Sequence, residues 1–176
     1  MTGKIAASGN VNSLLEENEE TARTMSLAGK DYCYYSIFSS CSSLTQAPEL
    51  PATTLASSCY EWMFRGCTSL TQAPALPATT LANNCYNGMF SSCSSLTQAP
   101  ELPATTLASN CYYSMFGDCN SLNSIKAAFT TWGSGTSNWL NNVAATGTFT
   151  CPQVLIDNTT TRGGSTVPES WTMVAV

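Results

Sequence analysis

The chain contains no histidine among its 176 residues. That excludes Ser-His-Asp and Cys-His catalysis and any imidazole-ligated metal site. Charge is scarce: 10% of residues are charged, against about 25% in typical soluble domains. Six are Lys or Arg, and the formal net charge is −5. Phosphate backbones are held by basic patches, so nucleic acid is not an expected partner. No apolar run reaches the roughly 18 residues that a spanning helix needs, so no membrane insertion is expected. Neither C-x₂-C spacing nor a D-x-D-x-D-G loop occurs, so neither zinc nor calcium has its usual ligand pattern. Within residues 1–20 the one basic side chain is Lys4 and no apolar stretch follows it. No secretory leader is therefore expected there.

What the sequence does contain is a repeat. Copies begin at Cys33, Cys59, Cys85 and Cys111, a period of 26 residues without insertions. The tract LTQAP-x-LPATTLA starts at Leu44, Leu70 and Leu96. A fixed period of this size marks a stacked array in which each copy contacts its neighbours. The expectation is an α/β fold, a right-handed solenoid of about four strand-turn-helix copies over residues 33–128. Residues 1–32 and 129–176 would cap it, because terminal copies must cover an otherwise open core. Ile125 replaces the Ala47, Ala73 and Ala99 of earlier copies, and after Ala128 the pattern is expected to stop.

Comparison of the copies separates each into two faces. At about 100° per residue, Leu55, Ala56, Cys59, Tyr60, Met63, Phe64 and Cys67 fall on one arc. Most of these recur in the other copies. Ser57, Ser58, Glu61, Trp62 and Arg65 fall on the other arc, and they vary. This predicts an amphipathic helix over residues 55–67, with Thr54 as its N-cap and Gly66 as its stop. Residues 43–50 predict a short strand with Leu44 and Ala47 inward and Thr45 outward. Pro48, Pro74 and Pro100 lack an amide hydrogen, so the strand should end by Ala47. Each copy can bury about seven apolar side chains, each contributing roughly 1.5–3 kcal/mol before entropy is subtracted.

The pattern C-Y-x-x-M-F-x-x-C-x-S-L-T-x-A-P-x-L-P-A-T-T-L-A resembles the BspA-like leucine-rich repeats of bacterial surface proteins. Residues 3–15 (GKIAASGNVNSLL) resemble that family's N-terminal cap. NWLNNVAATGTF and VPESWTM, within residues 138–173, resemble its closing segment. The resemblance implies a leucine-rich-repeat solenoid that is exported or surface-exposed, with adhesion or protein binding as its role. The asparagine ladder common in leucine-rich repeats is absent here. Cysteine and alanine take core positions instead.

Eight of the nine cysteines form two columns: Cys33, Cys59, Cys85, Cys111 and Cys41, Cys67, Cys93, Cys119. Buried thiols acting as small apolar residues are the favoured reading. Disulfides, suited to an exported protein, and metal ligation compete with it. The acids at positions 16, 17, 19 and 20 read as a solvated cap surface. Glu49 and Glu101 recur two copies apart, roughly 10 Å at strand spacing, and read as rim charges rather than a glycosidase pair. Nothing points to a catalytic residue, a metal or a cofactor, and an enzyme is not expected.

Binding candidates fall in two groups. Thr45, Gln46, Thr71, Gln72, Thr97 and Gln98 form polar ladders on the strand face. Tyr35, Trp62, Arg65 and Tyr113 lie on the variable arc, where exposed aromatic and arginine side chains suit contacts. The column of Tyr34, Tyr60, Tyr86 and Tyr112 reads as core. These features predict a noncatalytic interaction or adhesion module of a bacterial surface, binding a protein partner through an extended face. The alternatives are a glycan-binding module, for which aromatic and amide side chains would suit sugar rings, and a passive spacer. A cell-surface or extracellular location is expected, and the chain is read as a possible fragment of a longer protein.

Overall fold

The computed structural model describes residues 3–158 and 167–176. Part of the expected C-terminal cap, residues 159–166, lies outside the described residues. The described residues form a small α/β arrangement with few helices and two parallel sheets, neither closed into a barrel. One sheet pairs β1 (Ile5–Ala6) with β2 (Leu44–Gln46). The other joins β3 (Ser124–Lys126), β4 (Thr148–Cys151) and β5 (Thr172–Ala175) in that order. Among the described residues the α-helices are α1 (Glu19–Thr24) and α2 (Gln153–Asp157). No helix among the described residues is long and apolar enough to cross a membrane.

The helix expected over residues 55–67 is absent. That segment is a run of consecutive turns, and the left-handed φ recurs every fourth residue: Ser58 (+53°), Trp62 (+56°), Gly66 (+74°). The same spacing marks Asn84, Gly88 and Ser92, then Asn110, Ser114 and Asp118. A period of four nearly matches a helical 3.6 over twelve residues, so the apolar pattern alone leads to the wrong element. Thr54 accordingly caps no helix. It makes an isolated parallel bridge to Thr80. Gly66 is one turn corner among several, not a stop. Ser58 is buried, not exposed as its arc implied.

The turns satisfy their backbone completely. Within residues 58–67, odd positions donate to the carbonyl three residues back, as Glu61 N–H does to Ser58 (3.2 Å) and Met63 to Tyr60 (3.2 Å). Even positions donate into the next copy: Tyr60 N–H to Cys85 O (3.0 Å), Trp62 to Asn87 (2.9 Å), Phe64 to Met89 (2.9 Å). The odd carbonyls meet the preceding copy, as Glu61 O accepts from Ser36 N–H (3.0 Å). Buried backbone groups must find such partners, and here half of them find them in a neighbouring copy. This turn wall therefore cannot form from one copy alone.

Side chains stack in the same register. The Tyr34, Tyr60, Tyr86 and Tyr112 rings lie 5.5, 5.8 and 6.0 Å apart and within 11° of parallel. Phe38, Phe64, Phe90 and Phe116 repeat this at 5.5–5.8 Å. Leu44, Leu70, Leu96 and Leu122 are buried in the same core. The tyrosine column is thus core, and Tyr34 Oη donates to Asn12 Oδ1 (2.9 Å) in the N-terminal region.

The expected strand is realised only at the two ends. Leu44–Gln46 pairs with β1 and stops before Ala47, and Ser124–Lys126 pairs with β4. Lys126 stands where earlier copies have Pro48, Pro74 and Pro100; here the pairing runs on past this position, Ala127 N–H donating to Thr150 O (3.0 Å) and Lys126 O accepting from Leu102 N–H (3.0 Å). At Thr71–Ala75 of the second copy no backbone hydrogen bond crosses to either neighbour.

The pattern does not stop at Ala128. Tyr112, Ser114, Phe116 and Asp118 donate to Gly135, Ser137, Trp139 and Asn141 (2.8–3.0 Å). Asn138 and Asn142 repeat the left-handed corners (both φ +55°). Residues 135–142 are a shortened further turn run, and β4 and β5 continue the strand wall beyond it.

Candidate functional site

The structure places the ten sequence-predicted binding residues on two walls. On the strand wall, Gln46, Thr71, Gln72, Thr97 and Gln98 are exposed. Thr45 is half-buried and its hydroxyl donates to Ile5 O (3.0 Å), so it contributes less to the ladder than its counterparts. Because the middle copies lack a strand ladder, clefts open between them. Thr45, Gln46, Ala47, Gln72, Ala73 and Pro74 line one of about 440 Å³. Thr71, Gln72, Thr97, Gln98 and neighbours line the next, of about 340 Å³. Each polar cleft continues into a proline-lined one. Pro48, Pro51, Pro74 and Pro77 flank an opening of about 310 Å³, and Pro77 and Pro103 one of about 190 Å³.

Sequence reasoning located the amides and hydroxyls of this wall but not the clefts or their proline halves. The signal was the recurring proline. Two prolines per copy, in A-P-x-L-P, also keep adjacent copies from zipping together along this edge. The clefts therefore expose backbone donors and acceptors of Gln72 and Ala73 beside the side-chain amides. That set can hydrogen-bond a ligand and bury an apolar portion against proline rings.

Charges at the rim are paired. Glu49 accepts from Arg23 (2.7 Å), which also meets Glu19 (3.1 Å), and Glu101 meets Lys126 (2.7 Å). All are exposed, and such pairs contribute little to stability. The hydrogen bond from Arg23 to Glu49, with the attraction of both carboxylates, raises the guanidinium pKa further.

On the turn wall the structure joins three residues that the sequence had left scattered. Tyr35 meets Trp62 with ring centroids 5.5 Å apart. Arg65 lies over the Trp62 ring at 5.7 Å. Tyr32, not singled out from the sequence, joins them at 5.9 Å from Tyr35. Tyr32, Tyr35 and Trp62 are 60%, 38% and 37% exposed. Tyr113 stands apart from this cluster, its hydroxyl accepting from Asn138 Nδ2 (3.4 Å).

The thiols are free, not bridged. Cys33 and Cys41 are half-buried and the other seven are buried. Cys67, Cys93 and Cys119 donate to Phe38, Phe64 and Phe90 carbonyls one copy back (3.0–3.2 Å). Burial pushes Cys59, Cys67 and Cys119 up to about 12 and Cys111 to about 11. Thiols held protonated are poor nucleophiles. Among the described residues no group of His, Cys, Asp and Glu could hold a metal ion.

No protein-family model, curated protein sequence or solved structure matches the chain.

Proposed function

We propose that the chain is a noncatalytic interaction module. In this reading it is a right-handed solenoid of the leucine-rich-repeat class, akin to BspA-like surface proteins. It works on a bacterial surface or outside the cell and binds a protein partner through its strand wall. The observation that supports this is the row of clefts between copies, where exposed Thr and Gln side chains adjoin open backbone groups and proline rings. Extended repeat faces are suited to such binding, and the mixed polar and apolar lining fits a polypeptide better than a small charged ligand. The residues carrying the contact are Gln46, Thr71, Gln72, Thr97 and Gln98.

An array of extracellular and surface proteins tests this, with the quadruple variant Thr71→Ala/Gln72→Ala/Thr97→Ala/Gln98→Ala as control. The expected result is a saturable partner whose affinity falls roughly tenfold or more in the variant. The melting temperature should hardly change, because the four side chains are exposed. A partner bound equally by the variant, or no protein bound at all, overturns the reading.

A further inference from the structure

Two of the three clustered rings on the turn wall stand where the backbone disfavours them. Trp62 has φ +56° and Tyr32 φ +58°, a region in which a bulky side chain is an outlier. At the position of Trp62 the other copies carry Ser36, Gly88 and Ser114. At that of Tyr32 they carry Ser58, Asn84 and Asn110. The repeat thus supplies small turn residues at these corners except where an aromatic ring joins this cluster. Gly88 completes the arrangement: a Cβ there would lie 2.4 Å from Trp62 Cδ1, so its absence lets the indole lie across the next copy. Strain of this kind persists where the surroundings enforce it and is concentrated at working sites. Here Tyr32 is mostly exposed, and Tyr35 and Trp62 keep more than a third of their surface in solvent.

The flanking charges define the ligand. Lys30 and Asp31 directly precede Tyr32, and Glu61 and Arg65 flank Trp62 in the chain, two charges of each sign; the Asp31 carboxylate already accepts from Ser57 N–H (3.2 Å). Among the described residues no carboxylate lies within ion-pair distance of Arg65. A polyanion would gain no net attraction here and would meet a chain of net charge −5. Proline-rich peptides also stack on aromatic rings, but proline has no N–H to offer the carboxylates. A pyranose has apolar C–H faces for the rings, and hydroxyls that both donate to carboxylates and accept from a guanidinium. We propose that Tyr32, Tyr35, Trp62 and Arg65 form a binding site for a neutral glycan. Its sugar ring lies on the Tyr35–Trp62 pair and its hydroxyls reach Arg65 and Glu61. This site is separate from the strand wall and shares with the proposed function only the premise of noncatalytic binding.

Affinity electrophoresis in gels containing mannan, galactomannan, xyloglucan or mixed-linkage β-glucan tests it, with polygalacturonate and a decaproline peptide as competitors of other chemistry. Retardation by at least one neutral polysaccharide is expected. The triple variant Tyr32→Asn/Tyr35→Asn/Trp62→Ser installs residues that other copies already carry, so it should fold. It should weaken retardation roughly tenfold or more. Arg65→Ser, an exposed change, should weaken it independently, whereas Gln72→Ala/Gln98→Ala should not. No retardation in any neutral gel, equal retardation of the triple variant, or interaction confined to polygalacturonate or decaproline overturns the proposal. Loss through Gln72→Ala/Gln98→Ala alone would assign the glycan to the strand wall and overturn it too.

Discussion

At the scale of single residues, Gly88 and the thiols make separable claims. Gly88→Ala puts a methyl group at a left-handed corner and into the Trp62 ring. The expected penalty is about 1–2 kcal/mol, together with a shift in tryptophan emission as the indole swings away. In a Trp62→Ser background the penalty should shrink to that of the left-handed alanine alone, which a double-mutant cycle reads directly. The thiols predict a pH dependence. Unfolded, they ionise near 9. Folded, Cys59, Cys67 and Cys119 hold their protons to about 12 and Cys111 to about 11 because they are buried. A raised acid contributes stability that is intact below the unfolded value and lost on the way up to the folded one. Urea midpoints should be flat from pH 6 to about 8 and then fall, each buried thiol removing up to ~1.4 kcal/mol per pH unit in that window. An unchanged midpoint at pH 10.5 would put these thiols in water. Brief native alkylation followed by mass spectrometry should label Cys33 and Cys41 and spare the rest.

At the scale of elements, what the sequence disclosed and what it hid divide along one physical line. The side of most residues was legible: Cys59, Tyr60, Met63, Phe64 and Cys67 are buried, and Trp62 and Arg65 are exposed, Ser58 being the exception. The backbone path was not, because twelve residues cannot distinguish a period of 3.6 from one of 4.0. A cue was present in the corner residues Ser58, Asn84, Gly88, Ser92 and Asn110. Serine, asparagine and glycine every fourth residue are turn formers, whereas the variable arc claims Ser58 and Gly88 for a solvent face and Gly66, the counterpart of Ser92, reads as a stop. The expected strand is realised at Leu44–Gln46 and Ser124–Lys126 and not at Thr71–Ala75, where no backbone bond crosses to a neighbour. The aromatic cluster was hidden for another reason: it joins side chains 27 residues apart, Tyr35 and Trp62, whose meeting depends on the turn geometry. A pair of glycine scans tests the turn assignment. Ser92 is left-handed (φ +63°) and Ser91 is not. Ser92→Gly should be neutral or stabilising by up to about 1 kcal/mol, and Ser91→Gly destabilising. A helix would lose about 1 kcal/mol at either position. Far-UV circular dichroism should correspondingly show little helical signal.

At the scale of the whole molecule, the two walls hold the copies together unequally. The turn wall is bonded from copy to copy through every even amide between 58 and 66, while the strand wall is bonded only near its ends. Cohesion along the array therefore runs through the turns and the stacked rings, leaving the strand wall free to open into clefts. Such an array needs its last copy closed. Trp139 is fully buried, 6.4 Å from Phe116 and in contact with Phe129, Trp132 and Phe149. It ends the phenylalanine column with a larger ring turned across it (56°). Gly147 seats the strand side of the same end, where a Cβ would come within 2.6 Å of Asn123 O and of the Trp171 ring. Backbone cannot give way as a flexible side chain can. Gly147→Ala should therefore push β4 off β3, and Trp139→Ala should remove about 3–5 kcal/mol. If each copy is stable only against its neighbours, both changes should spread beyond the end they touch. Hydrogen exchange at Tyr86 and Gly88, two turn runs away, should accelerate along with that at Phe116. Exchange that quickened at residues 112–151 while Tyr86 stayed protected would show instead that the central copies hold together without their terminal closure.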